Sequence, residues 1–349
     1  MSMQRILGMI AGIAAAAAAV PANADDIADF YKGRSVTLIV GSSAGGGYDA
    51  YGRLVGAHLG KHIPGNPNVI IQNMPGAGQS LAVFYVYARA PKDGTAIAVT
   101  SPGALLSPLV GGPRVQYDPM KLKLVGSANT EVYACFVRTD APVKSFKEAF
   151  DKELILGVSS GTTRDMPLIT KAILKTKYKF VTGYKGSKEV NLAIERGEVH
   201  GLCGLSYASF RTQNPNFRQE GKIKVFAQES VKGHPELNKE GVPKIIDFAT
   251  NDRDRQALAL VFNQGQLGRV FAAAPEVPEA RFAALRKAFA DTMKDPALIA
   301  DARKRKLDVD WLSGAELDQA LKEAYGMPKD VVNRVRSVLD VNSTKNKKK

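Results

Sequence analysis

The sequence predicts an α/β protein of two lobes that share one cleft, and three observations predict it. Apolar strands alternate with amphipathic helices from Val36 onward. The loops between them are built from glycine and hydroxyl residues rather than large side chains. The design set out between Val36 and Val110 is then repeated between Leu154 and Ala227. A sheet built this way is parallel and gathers its ligands at the carboxyl ends of its strands. Two such units with small-residue loops at helix N-termini describe a clamshell closing on one ligand.

The first element is a leader. Residues 1–24 carry Arg5, an apolar run from Ile6 to Val20, and the small-x-small pattern Ala22-Asn23-Ala24. That is a cleavable signal peptide, with Asp25 expected to open the mature chain. The run is too short and too rich in alanine for a membrane anchor. The remainder, about 325 residues, suits two lobes rather than one core. With 45% hydrophobic and 23% charged residues it is an ordinary globular composition. The net charge of +14 favours acidic ligands. Nucleic acid is excluded as a partner, since no basic stripe is interleaved with aromatics. Lys345 to Lys349, within an expected tail over residues 341–349, is read as basic and disordered.

Ser35 to Ile63 organises the first lobe. Val36 to Val40 reads as a buried strand, and Tyr51, Leu54, Val55, Leu59 and Ile63 form one helical stripe. Between them run Ser42, Ser43, Ala44, Gly45, Gly46, Gly47, Tyr48 and Asp49, a loop whose N–H groups are free to converge on an anion. A branched side chain at Gly46 is expected to block that cradle and strain the backbone. Asp49 is expected to cap the helix and shape the loop, since a carboxylate would repel an anionic ligand. Gly45-x-Gly47-x-x-Ala50 also matches a dinucleotide fingerprint. That reading fails at the second strand, Val69 to Gln72, which ends on Asn73 where an acidic residue should hold a ribose.

A helix over Ser80–Ala90 and a strand over Ala96–Thr100 follow, ending at Thr100-Ser101. These two residues either meet ligand at the strand end or cap the helix Ala104–Val110. The second lobe begins with the strand Val132–Val137 and an amphipathic helix from Ser145. Then come the strand Leu154–Val158, the loop Ser159-Ser160-Gly161-Thr162-Thr163 and the helix Asp165–Lys175. The strand Lys179–Thr182, the loop from Gly183 through Tyr184 and Gly186 to Ser187, and the helix Lys188–Arg196 form the next copy. Strands Val199–Cys203 and Ile223–Ala227 close the lobe.

Motifs along the whole mature chain carry a resemblance. They include Val40-x4-Gly45-Gly46-Gly47-x-Asp49, Asn73-Met74-Pro75-Gly76-Ala77-Gly78 and Ala90-Pro91-Lys92-Asp93-Gly94-Thr95. Tyr117-Asp118-Pro119, Ser159-Ser160-Gly161, Gly183-Tyr184-Lys185-Gly186-Ser187, Arg196-Gly197-Glu198-Val199 and Ala274-Pro275-x-Val277-Pro278 extend it. In these the chain resembles the Bug, or TctC-like, extracytoplasmic solute receptors of tripartite tricarboxylate transporters. The resemblance is weakest between Lys244 and Arg269. It implies a type II periplasmic-binding-protein fold with a double crossover. It also implies a ligand carboxylate held by backbone N–H groups over Ser42–Asp49 and by the loop Ser159–Thr163. Ser43-Ala44 and Tyr48 stand where the family has prolines and threonine, and the second loop is shortened to Gly161-Thr162-Thr163.

The other chemical signals are weaker. Arg164 either faces solvent or reaches a second carboxylate with a forked pair of bonds. His58 and His62 stand four apart on a helix but lack further ligands of suitable spacing, so they are read as structural, with no metal. Cys135 and Cys203 lie in strands; export permits a disulfide, but buried free thiols are the expectation. No Gly-x-Ser-x-Gly elbow and no triad among the four histidines supports catalysis.

The resulting expectation is a periplasmic, monomeric solute-binding protein without cofactor. It captures a small carboxylate and hands it to a permease of one large and one small membrane subunit. Lobe one is expected over 25–130 and 229–340, and lobe two over 131–228. The alternatives are a same-fold receptor feeding a sensor kinase, told apart by its genomic neighbours, and an exported hydrolase, revealed by turnover.

Overall fold

The computed structural model describes residues 24–111, 115–159 and 161–345. The expected signal peptide, apart from Ala24, lies outside the described residues, as do Ser160 and the last four residues of the basic tail. Among the described residues no helix is long and apolar enough to cross a membrane.

The strands in chain order are β1 (Ser35–Val40), β2 (Asn68–Asn73), β3 (Ala96–Thr100), β4 (Lys123–Ser127), β5 (Tyr133–Arg138) and β6 (Leu154–Gly157). They continue as β7 (Tyr178–Val181), β8 (Gly201–Ser206), β9 (Ile223–Glu229), β10 (Val270–Ala273) and β11 (Leu312–Ser313). One sheet has the order β11-β4-β10-β3-β1-β2, the other β7-β6-β8-β5-β9. In the first, β1 lies parallel between β2 and β3, and its Val36, Leu38, Ile39 and Val40 are buried. A strand covered on both faces needs such a continuous apolar run. β10 enters antiparallel between β3 and β4. The chain therefore leaves the first sheet after β4, builds the second sheet, and returns at β10. These two crossings make the two-lobed architecture with a double crossover.

Several elements differ from expectation. The segment from Ser145 is a short 3-10 turn, Phe146–Phe150, not an amphipathic helix. Beyond β9 the helix Asp252–Phe262 shares the second lobe's core, burying Ala257, Leu258 and Val261 with Met166 and Ile169. The chain thus stays with the second lobe past the division expected after 228, because that apolar stripe finds its partner there. The last helix, Lys329–Lys345, runs into the expected tail and buries Val331, Val335 and Leu339 in the same core. It also reaches the first lobe, where Arg336 donates to the Leu109 carbonyl at 2.9 Å.

Cys135 and Cys203 are joined in a disulfide, not free. They sit on antiparallel neighbours β5 and β8. The pairing shifts between Ala134↔Leu205 and Phe136↔Leu202, an irregularity that turns the two cysteines toward each other. Local sequence carries no mark of such a shift.

Glu229, fully buried, lies against this disulfide; the Gly204 N–H donates to its Oε2, and Oε1 has no protein partner. Burial pushes the carboxyl up to about 8. The ordinary value for glutamate is about 4.3. Between those values the folded chain holds a proton that the unfolded chain has released. The resulting stabilisation is complete below about pH 4.3 and is lost progressively up to about pH 8. Glu229→Gln is therefore expected to melt above wild type at pH 8, with the gap closing toward pH 5. Thermal melts at both pH values check this, and a gap independent of pH would contradict it.

Candidate functional site

A cleft of about 680 Å³ opens between the lobes. The first lobe lines it with Ser42, Tyr48, Gln79 and Ser101, the second with Ser159, Gly161, Thr162, Thr163, Arg164, Gly186 and Ser187. Four helices start at or beside this space. They are Gly47–Leu59, Pro102–Val110, Thr162–Leu174 and Ser187–Glu195, with Gly46, Ser101, Gly161 and Gly186 at their N-caps. None of the four has a side-chain cap, because three of these residues are glycine and the Ser101 hydroxyl does not turn back. Some helices elsewhere are capped, Asn251 accepting from Asp254 and Ser313 forming a capping box with Glu316, while others, such as Glu279–Lys294, are not. Uncapped N-termini leave N–H donors and the positive ends of helix dipoles pointing toward the cleft. Three of these starts line the cleft itself, while the Gly46 end faces an adjoining groove, and Glu131 and Asp165 share the cleft lining with them.

The glycine loop differs in detail from expectation. Asp49 is buried and turned back into the loop. Its Oδ2 accepts from the Gly45 N–H at 2.8 Å and from Arg53 Nε at 2.9 Å, and its Oδ1 from Asn73 Nδ2 at 2.9 Å. Burial alone would raise this carboxyl, but the Arg53, Gly45 and Asn73 hydrogen bonds hold it below the ordinary range. Asn73 Nδ2 also donates to the Ser42 carbonyl at 2.9 Å, so the end of β2 clamps the loop. The Gly46 N–H donates to the Ser43 carbonyl at 3.1 Å. The N–H groups of Gly45 and Gly46 are thus used inside the loop rather than offered outward. Left-handed backbone occurs at Gly45, φ 78°, while Gly46 has φ −77°, open to any residue. The strain expected at Gly46 belongs to Gly45.

Gly45, Gly46 and Gly47 face an adjoining groove of about 450 Å³. There Gly47 admits two groups: a Cβ on it would stand 3.0 Å from Ser209 Oγ and 3.2 Å from Arg269 Nη1. Arg269, only 1% exposed, pairs with the buried Glu131 through Nη2. Its guanidinium carbon lies 4.6 Å from the Tyr48 ring centre and 4.3 Å from that of Tyr51. Burial works against its charge, but Glu131 and the surrounding tyrosines more than restore it. Tyr48 is hydrogen-bonded to Tyr133 and Ser101 across the cleft wall, and burial pushes its hydroxyl well up. Arg269 Nη2 reaches Ser209 Oγ of the second lobe at 3.3 Å, and Arg211 pairs with Asp308. The lobes are held together by these contacts.

The remaining expected residues divide. Thr100 is fully buried beneath the cleft and does not line it. Ser43 and Ala44 are exposed on the loop's outer turn. Tyr184 packs on the second-lobe core near Gly157 rather than in the cleft. Arg164 lines the cleft with its fork on Asp165, at 2.7 Å from Nε and 2.6 Å from Nη2. His58 and His62 bond Asp301 at 3.3 Å and Asp295 at 3.0 Å, tying their helix to the C-terminal half. Gln79, Glu131, Tyr133, Ser209 and Arg269 were not foreseen. For Gln79 the signal was its place directly after Gly76-Ala77-Gly78; the others carry no local mark.

No family model matches the sequence. Among curated proteins, the UPF0065 protein in the gbd 5′ region of Cupriavidus necator is 29% identical over 230 residues, 62% of this chain. The match spans 66% of that relative, just under two thirds of its length. Among solved structures, a TctC solute-binding protein from Polaromonas superposes with a TM-score of 0.64 at 19% identity, over 89% of this chain and 99% of its own. The fold is that of the TctC and Bug solute-binding proteins. MatC from Rhodopseudomonas palustris with bound malate shares the TctC fold at a TM-score of 0.63 and 20% identity, over 87% of this chain and 98% of its own. An R. palustris protein with adipate reaches 0.65 at 20% identity, over 87% of this chain and 97% of its own. The resemblance drawn from the motifs is thus borne out in the fold.

Proposed function

We propose that this chain is a periplasmic receptor of the Bug family. It binds a small organic carboxylate between its lobes and presents the closed form to a tripartite membrane transporter. The observation that carries this reading is the meeting of three uncapped helix starts on one interlobe cleft, at Ser101, Gly161 and Gly186, with the glycine loop beside it. Malate in MatC and adipate in the second R. palustris protein support the same ligand class. No step of this role needs covalent chemistry, so the reading is a binding protein and not an enzyme. Ser42, Tyr48, Ser101 and the loop from Ser159 through Thr163 are the proposed contacts, with Asp49 shaping the loop from behind. Delivery to the permease rests on the motif resemblance.

Calorimetry with carboxylates and their carboxamides tests the reading. Carboxylates should bind and the matched amides should not. Thr162→Val should weaken binding about ten- to a hundredfold, the loss of one hydrogen bond to a charged group. Equal binding of acids and amides would refute the anion site. Unchanged affinity in Thr162→Val would remove that residue from it.

A further inference from the structure

Gln79 stands where the backbone is least comfortable. Four consecutive residues have positive φ: Gly76 at 146°, Ala77 at 47°, Gly78 at 62° and Gln79 at 76°. Glycine adopts such angles freely, but a residue with a long side chain does so against steric resistance. The conformation is fixed from two sides. The Gln79 N–H donates to the Gly76 carbonyl at 2.8 Å, and Gly41 leaves room where a Cβ would meet Gln79 Cβ at 2.7 Å. The result is a glutamine side chain held on the cleft wall beside the end of β1. Its Oε1 is buried with no hydrogen-bond partner, and the same is true of the Ser42 hydroxyl on that wall. Buried polar groups are rarely left unpaired, and strain of this kind concentrates where a side chain is used.

Resting on the carboxylate reading of this cleft, we propose that Gln79 and Ser42 together read a hydroxyl group on the ligand, so that the preferred solute is a hydroxycarboxylate rather than its deoxy counterpart. The chemistry of the two groups selects the complement. An amide and a hydroxyl each offer both a donor and an acceptor, and a ligand hydroxyl satisfies both, whichever way the amide is turned. A second carboxylate only accepts and leaves an acceptor of the pair unmet. An ammonium only donates, and the converging helix starts repel it. The uncapped helices hold the carboxylate; the wall beside β1 reads its neighbour.

The test is calorimetry on matched pairs: malate and succinate, lactate and propionate, 3-hydroxybutyrate and butyrate. Wild type should bind the hydroxy member of at least one pair tenfold or more tighter. Gln79→Met removes the hydrogen bonds at similar volume, and Gln79→Gly removes the side chain while relieving the backbone, which keeps one variant folded in either case. Both should bring the two members of that pair to within about threefold of each other. Circular dichroism confirms folding. If wild type binds the members of every pair equally, or if the preference survives in both variants, the inference is wrong while the carboxylate site stands. If no acid binds but another solute does, the carboxylate reading itself fails and takes this one with it.

Discussion

Arg269→Met is expected to destabilise the protein by about 3–5 kcal/mol, the usual consequence of removing one partner of a buried ion pair. Glu131 would be left charged among Tyr48, Tyr133 and the cleft wall, where little water can reach it. The loss should come from that stranded carboxylate more than from the missing arginine. Arg269→Met combined with Glu131→Gln should therefore recover most of it. Arg269→Lys should not, because an ammonium cannot reproduce the guanidinium's stacking on two tyrosines while reaching Glu131 and Ser209. Urea unfolding of the ligand-free protein measures all three variants. A single variant that lost under 1 kcal/mol, or a double variant no better than the single, would show that the pair does not hold this region together.

Arg269 also marks the limit of what the amino-acid sequence discloses. β3 was legible residue for residue, Ala96–Thr100, because an unbroken apolar run between turn residues admits little else. The glycine loop was legible for the same kind of reason, since few elements tolerate Gly45-Gly46-Gly47. Which of its N–H groups stay free was not, because that depends on Asp49 folding back and on Asn73 arriving from β2. β10 escaped altogether. Its four residues pair with β3 and β4, both far earlier in the chain, and no local pattern announces a strand inserted from such a distance. Arg269 directly precedes that strand, so missing the strand meant missing the arginine. Its partners Glu131 and Ser209 come from the first crossing and the second lobe, and only the folded chain brings them together.

Replacing Cys135 and Cys203 together by alanine is expected to cost about 4 kcal/mol. The two residues are 68 positions apart, and closing a loop of that length restricts the unfolded chain by about this amount in the chain-entropy account. Two features make the loss visible. The bond joins β5 and β8 at the centre of the second sheet, so the fold has no edge at which to give way gently. Both sulfur-bearing residues are also fully buried, with Glu229 against them. A reductant should reach the bond only when the lobe opens, so dithiothreitol added to native protein should act slowly, at a rate set by that opening. Added in urea near the midpoint, it should act at once and bring the unfolding curve down to that of the alanine variant. Ligand bound in the cleft should slow the native reaction further, since a ligand that binds only the folded state lowers the population of the open one. Thiol titration during reduction, with and without a bound carboxylate, follows this directly. Rapid reduction of the native protein, or an alanine variant as stable as wild type, would show that the bond is not what fixes the second lobe.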